Sequence, residues 1–276
     1  MPIRINARVV GATLLSSAAG LALSTTVASS AGGSTKPSTS LSILVTNDDG
    51  VTAPGIDATV KALTALPRTK VMVVAPLTNQ SGTGAKVTDG ALTATSATTA
   101  SGYPAKAVAG YPADTIIWAI DEHGISQRPD LVVSGINLGE NIGPLAALSG
   151  TVGAAQTAMA RGIPALAVSQ GVDNGQSANF SQGAKYLVAW VQAHRKALLA
   201  AKTGTAKSTN GNLNVPTCTS GHIRGPVNVT VAPSLSGYSV GTVNCSSTAS
   251  KPSTDAQAFV DGFASISALH PVNPPK

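Results

Sequence analysis

Apolar and polar positions along the chain fall into two alternating textures. The short runs LSILVT (41–46), KVMVVAP (70–76), DLVVSG (130–135) and PALAVS (164–169) are nearly continuous in apolar, often β-branched residues. That pattern predicts strands buried on both faces. Between them the apolar residues recur at helical spacing. Ile56, Val60, Leu63 and Leu66 do so in IDATVKALTAL. PADTIIWAIDEHG (112–124) has Pro in its first turn and Gly past its end, both helix-boundary signals. TVGAAQTAMARG (151–162) predicts a helix ending at Gly162. The long stretch 178–202 carries a stripe through Tyr186, Leu187, Val191 and Leu198. Strands alternating with helices predict an α/β fold with a mostly parallel sheet and helices on both faces. A Gly/Thr/Ser-rich stretch reaching about residue 103 predicts short strands or a hairpin. After about residue 203 the texture turns to Gly, Ser, Thr, Asn and Pro. The short β-like runs VNVTVA (227–232) and AFVDGFASIS (258–267) there predict a β-rich C-terminal extension rather than an independent domain.

The N-terminal segment breaks the pattern. Arg4 and Arg8 precede the apolar run VVGATLLSSAAGLAL, and small residues follow up to Ala31. This reads as a secretory signal over 1–31 with cleavage near Ala31, so the mature chain is expected to be secreted or extracytoplasmic. The run is short and diluted by Ser and Thr, which disfavours a membrane anchor, and no stable membrane span is expected in the mature chain. GGSTKPSTS (32–40) reads as a flexible linker. The remaining 41–276 is then one domain, an α/β core over 41–203 followed by the extension over 204–276.

Composition sharpens this in three ways. The chain is 43% hydrophobic but only 3% aromatic, so Ala, Val, Leu and Ile must fill the core. The net charge of +6, lowered by two if the segment bearing Arg4 and Arg8 is removed, is scattered rather than gathered into a basic stripe with aromatics. No dedicated nucleic-acid surface is expected, while anionic small molecules are favoured. The cysteines, Cys218 and Cys245, both follow the signal, and in an oxidising compartment a pair reads most simply as a disulfide.

Candidate chemistry sits after the strands, where open α/β sheets bind ligands. The first strand delivers Asn47, Asp48, Asp49 and Gly50. The second delivers APLTNQSGTG with Ser81, and the third SGINLGENIG with Asn137 and Asn141. The helix before the fourth strand opens at SGTVGAA. Each piece alone has a bland reading: DDG as a turn, SGTV as a helix cap, Asn137 as a loop residue. Together they bring two carboxylates, a hydroxyl and an amide oxygen to one rim. That is a hard oxygen set suited to Mg²⁺ or Mn²⁺, with a small-molecule phosphate ester as the natural substrate. Ser149, Gly150 and Thr151 at a helix start would offer backbone N–H groups to its phosphate. Asn47 and Asn141 would lie nearby.

The stretches ILVTNDDGVTAPGI, VVAPLTNQSGTG, PDLVVSGINLGENIG and SGTVGAA…GIPALAVS resemble the SurE (survival protein E) family of metal-dependent nucleotidases. AGYPADTI, NLNVP and TDAQAFVDGFASIS fit more weakly. The resemblance runs from about 41 to 269 and is dense to 169. It implies a Rossmann-like sheet and metal ligands at Asp48, Asp49, Ser81 and Asn137. Asp48 and Asp49 are the candidate catalytic pair, and Asp49 is expected to orient the attacking water, while neither the resemblance nor the spacing assigns a general base. It implies hydrolysis of nucleoside 5′- or 3′-monophosphates, and a homodimer is the oligomer it allows. The chain departs from the family pattern at Leu77, where an acidic residue is usual, and at Tyr111 and Thr115.

Rival readings exist. GYSVG (237–241) fits the G-x-S-x-G pattern of a secreted serine hydrolase, with Ser239 followed by Asp255 or Asp261 and His270. That elbow needs a strand before it and a helix after it, and VGTVNCSSTASKP has poor helical character. A phosphoaspartyl phosphatase would space its aspartates as D-x-D. SGTGAK lacks the ending of a phosphate loop. A catalytically inactive nucleotide- or metal-binding module is the non-enzyme alternative.

Overall fold

The computed structural model describes residues 40–172, 180–201 and 209–273. The expected signal segment 1–31, nearly all of the 32–40 linker and the expected boundary at 203/204 lie outside them. β1 (Leu41–Thr46) is buried along its whole length, because Leu41, Ile43 and Val45 face one apolar layer and Leu44 faces the other. It pairs in parallel with β2 (Thr69–Pro76) on one side and β5 (Leu131–Leu138) on the other. Beyond β2 lie β4 (Pro104–Val108), parallel to it, and β3 (Ala94–Thr98), antiparallel to β4. The expected hairpin is therefore present as an edge ribbon. On the other side the sheet continues through β6 (Ala165–Gln170) and β7 (Gly211–Val215), both parallel. It ends with β9 (Ala264–Ser267), antiparallel to β7, and β8 (Pro226–Val229), parallel to β9. The nine described strands run in the order β3-β4-β2-β1-β5-β6-β7-β9-β8.

Helices cover both faces, as continuous apolar strands require. α1 (Pro54–Thr64) and α4 (Phe180–Ala201) bury Ile56, Val60, Leu63, Leu187, Trp190, Val191 and Leu198 against one face. α2 (Pro112–Ile120) and α3 (Gly150–Ala160) bury Ile116, Ala119, Val152, Ala155 and Ala158 against the other. Each such Leu or Ile contributes about 1.5–3 kcal/mol of burial. Small alanines on α3 let it lie close to the sheet. No described helix is long and apolar enough to cross a membrane.

The C-terminal region departs from its sequence reading in one respect. AFVDGF is not strand: α5 (Asp255–Val260) occupies its start, and only the following ASIS forms β9. Thr254 caps α5 by accepting the Gln257 N–H at 3.3 Å, and Ala256 and Phe259, three apart, bury one face. The local cap and helical spacing outweigh the β propensity of Phe259 and Val260. β7 belongs to the same sheet as the core strands, its Leu213 pairing with Val168. The cysteines Cys218 and Cys245 form a disulfide that joins the segment after β7 to the loop before α5.

Candidate active site

β1 has its neighbours β2 and β5 on opposite sides, which makes its carboxyl end the switch point of the sheet, where a crevice opens. The chain there is NDDG. Gly50 turns it with φ of 103°, a conformation that favours glycine. The surrounding loops are locked together by specific hydrogen bonds. Gln80 N–H donates to the Asp48 carbonyl at 2.7 Å, which brings the β2 loop and Ser81 against β1. Gly84 N–H donates to the Leu148 carbonyl at 2.9 Å, joining that loop to the start of α3. Leu138 N–H donates to an Asp49 carboxylate oxygen at 3.2 Å, joining β5. The β5–β6 ladder shifts register between Ser134 and Asn137, and this irregularity sets where Asn137 leaves the sheet.

The result is a cleft of about 220 Å³ lined by Asp48, Ser81, Asn137, Glu140, Asn141 and Ser149, with Leu138, Leu145 and Leu148 at its walls. Among its described lining residues there is no lysine or arginine. Asp48 is 2% exposed and sits at the α3 N-terminus. It accepts a short hydrogen bond from the Thr151 hydroxyl and further ones from the Gly150 and Thr151 N–H groups. Burial nevertheless pushes its carboxyl pKa up, because these donors only partly replace lost water. Asp49, beside it, is pushed up to about 6, chiefly by burial and next by the Asp48 charge. The Leu138 N–H and the Ser81 side chain oppose the shift. Gly150 must be glycine: a Cβ there would lie 2.8 Å from the Asp48 Cβ and 2.9 Å from the Pro112 Cγ.

The sequence-derived residues divide into two groups. Asp48, Ser81, Asn137, Asn141 and Ser149 share the cleft, and Asp49 joins them through Ser81 and Leu138. Asn47, Gly150 and Thr151, expected beside a phosphate, lie behind the carboxylates instead. Asn47 is fully buried and donates to the Gly50 carbonyl at 2.9 Å, and the Thr151 hydroxyl is committed to Asp48. The α3 N-terminus thus serves first the protein's own anion, Asp48, which folds back onto it. Ser239 stands apart: it is exposed in a loop with no strand before it or helix after it. Asp255 is buried and accepts the Ala232 and Gly143 N–H groups, and His270 is exposed, so GYSVG makes no nucleophile elbow.

Two features escaped the sequence reading. Glu140 is 5% exposed and lines the cleft. Its signal was a carboxylate in an otherwise neutral Gly/Asn loop, three residues past Asn137. Asn212 and Asn214 of β7 clamp the Asn141 backbone. Asn214 Oδ1 accepts its N–H at 2.6 Å, and Asn212 Nδ2 donates to its carbonyl at 2.7 Å. Alternation in GNLNV places both asparagines on one face, but only the sheet order brings that face to the cleft.

The hard oxygen set fits a divalent cation by its own chemistry. Asn137 commits Nδ2 to the Gly139 carbonyl at 2.8 Å, which leaves Oδ1 as a free acceptor. Asp48 and Asp49 are adjacent, mostly buried and mutually repelling. With the Ser81 hydroxyl and the Asn137 amide oxygen they make up a mixed carboxylate–amide–hydroxyl set.

Residues 43–235 match the family model described as Survival protein SurE. A 5′-nucleotidase SurE of Methanopyrus kandleri is 40% identical over 183 residues, 63% of this chain and 66% of that one. One from Geotalea daltonii is 38% identical over 187 residues, 68% and 70%. One from Methanothermobacter thermautotrophicus is 44% identical over 137 residues, 49% and 51%. The matched stretch thus spans about half to two thirds of these relatives' length. The crystal structure of the SurE protein from Aquifex aeolicus is 27% identical, with a TM-score of 0.63, and the match covers 83% of this chain and 93% of that one. The family-model match over 43–235 runs from β1 through β8 and takes in Asp48, Asp49, Ser81 and Asn137, and on that basis the chain belongs to the SurE family.

Proposed function

We propose that the chain is a metal-dependent phosphomonoesterase that hydrolyses nucleoside 5′- or 3′-monophosphates to nucleoside and phosphate. The observation that carries this reading is the pair Asp48 and Asp49, two mostly buried neighbouring carboxylates with no cationic side chain in the described cleft. Asp48, Asp49, Ser81 and Asn137 would hold Mg²⁺ or Mn²⁺. When bound, such an ion polarises a phosphoryl oxygen and eases deprotonation of water.

The chain's own groups account for the rest. Ser149 Oγ already accepts the Val152 N–H at 3.2 Å, so its hydroxyl proton is free to donate to a phosphoryl oxygen. Asn141 Nδ2 gives one hydrogen to Ser169 Oγ at 2.8 Å and keeps the second for the ligand. Asp49 has one oxygen held by the Leu138 N–H, and its carboxylate would orient the attacking water. Thr151 and the α3 N-terminus hold the Asp48 carboxylate in one orientation. The apolar walls Leu138, Leu145 and Leu148 suit the uncharged part of a nucleotide rather than a bare phosphate. The relatives named as 5′-nucleotidases support the same substrate class. We further propose that the mature chain begins near Gly32, acts outside the cytoplasm and forms a homodimer.

The test is phosphate release from a panel of nucleoside monophosphates, polyphosphate and simple esters, with Mg²⁺, Mn²⁺ or a chelator. Release from nucleoside monophosphates that the chelator stops is the expected result. Tight nucleotide binding without release under every metal would instead make the chain a binding module.

A further inference from the structure

The loop 140–143 at the cleft rests on the C-terminal extension at four consecutive residues. Glu140 Oε1 accepts the Gly241 N–H at 2.6 Å. Asn214 Oδ1 accepts the Asn141 N–H at 2.6 Å, and Asn212 Nδ2 donates to the Asn141 carbonyl at 2.7 Å. Ile142 is buried in an apolar cluster with Ala232, Ala256 and Phe259. The Gly143 N–H donates to Asp255 Oδ2 at 3.1 Å. Asp255 is the costliest of these supports, a fully buried carboxylate with no ion pair among the described residues. Backbone N–H groups meet its charge instead. Oδ1 accepts those of Ala232 and Ala256, both at 2.8 Å, and Oδ2 accepts that of Gly143. Helix α5 does not require this carboxylate, because Thr254 already caps it. What Asp255 adds is a bridge between segments 112 and 23 positions away along the chain.

Gly143 is the joint of one cleft wall. Asn141 lies two residues before it, and the 3-10 helix Gly143–Leu148 leads from it to Ser149. Asn141 and Ser149 both line the cleft, and each keeps a donor hydrogen for a phosphoryl oxygen. Their spacing therefore depends on how the chain passes through Gly143. The joint is packed tightly as well. Gly143 has φ of 49°, and a Cβ there would lie 3.2 Å from the Ala232 carbonyl oxygen, on the segment that Asp255 also holds. Asp48, Asp49 and Ser81 follow other strands, and the hydrogen bonds that fix them do not pass through Gly143.

We propose that Asp255 is a positioning residue for phosphate binding in this cleft: by holding the Gly143 N–H it fixes the spacing of Asn141 and Ser149, and so sets the affinity for a phosphoryl group without touching it. The proposal rests on the phosphatase reading of the cleft and adds a residue from the C-terminal extension to it. Binding groups held in place before the ligand arrives need little further ordering. Displacing such groups by about 1 Å is enough to cost about 100-fold in rate.

Asp255→Asn separates positioning from mere support. The asparagine keeps an oxygen for the Ala232 and Ala256 N–H groups and turns a donor toward the Gly143 N–H, so the joint is released while α5 stays docked. Calorimetry on the full chain, well below its melting temperature, measures inorganic phosphate binding in saturating Mg²⁺ and Mg²⁺ binding alone. The variant is expected to bind phosphate about 10-fold more weakly, with Mg²⁺ affinity unchanged within about 2-fold. A role in stability alone would lower the melting temperature and leave the phosphate affinity of the folded protein unmoved. That result overturns the proposal, as does an equal loss of Mg²⁺ affinity or a wild-type chain that binds no phosphate. If circular dichroism shows the variant unfolded, native-state hydrogen exchange of the wild type decides. The Gly143 and Ala232 amides should open in one cooperative step with α5, and a Gly143 amide that opens independently of α5 overturns the proposal. Phosphate release from adenosine 5′-monophosphate is measured separately. Its absence in the wild type would overturn the phosphatase reading, while phosphate affinity still judges Asp255.

Discussion

Asp49→Asn should make the metal-free protein more stable at neutral pH while removing its activity. In the folded chain Asp49 is pushed from 3.8 up to about 6, by burial first and by Asp48 second. A raised carboxylate pKa means that ionisation opposes folding. The stabilising contribution of the protonated form is complete below about pH 3.8 and is lost as pH rises through about 6. The shift of about two units corresponds to about 3 kcal/mol at about 1.4 kcal/mol per unit. Asp49 is partly exposed, so solvent screening reduces this to about 2 kcal/mol. Asparagine carries no charge and still offers an oxygen to the Leu138 N–H. In chelator at pH 7.5 the variant should therefore melt about 4–8 °C above wild type, given about 2–4 °C per kcal/mol for a chain of this size. At pH 4 the two should coincide. Saturating Mn²⁺ or Mg²⁺ should raise the wild type and leave the variant nearly unmoved, because binding to the folded state alone adds stability. The assay is thermal and urea unfolding at both pH values, with and without metal, beside phosphate release. The argument fails if the variant is no more stable than wild type at pH 7.5 in chelator, or if the gap is as large at pH 4.

Other substitutions probe the supports of the site. Gly150→Ala places a methyl group 2.8 Å from the Asp48 Cβ, and displacing that carboxylate should lower kcat/KM for phosphate release about 100-fold, with the fold retained by circular dichroism. Cys218→Ser paired with Cys245→Ser opens a loop of 27 residues in sequence separation and should cost about 3–4 kcal/mol, read from urea unfolding under non-reducing conditions. Asp57 is buried on α1. Although burial alone would raise its pKa, Lys61 and the Ser101 and Thr99 hydroxyls hold it well below the usual carboxylate range. Asp57→Ala should cost about 1–3 kcal/mol near pH 7, an effect that fades as pH falls below about 3.8, where the unfolded chain takes up a proton while the folded carboxylate stays ionised.

The core strands were legible because burial on both faces writes itself as an unbroken apolar run, visible in LSILVT without any tertiary information. The helix ends were legible from Pro112 and Gly162, since those residues act on their own backbone. The clustering of Asp48, Ser81 and Asn137 followed from one rule about strand ends. The sequence misled where local chemistry and long-range position diverge. Thr151 is polar and sits at a helix start, yet its hydroxyl faces inward to Asp48 rather than outward to a ligand. Phe259 and Val260 look β-forming, yet the Thr254 cap makes them helix.

Residue types and their spacing alone determined a parallel α/β sheet with an oxygen-rich rim after its first, second and third core strands. Periodicity and turn chemistry are local properties, and they are written in consecutive residues. Only the tertiary structure decided that β7 enters the sheet next to β6, so that Asn212 and Asn214 grip Asn141, and that the 241 loop closes on Glu140. Those contacts join residues 71 to 101 positions apart, and hydrogen bonds across such separations leave no period for a sequence to display.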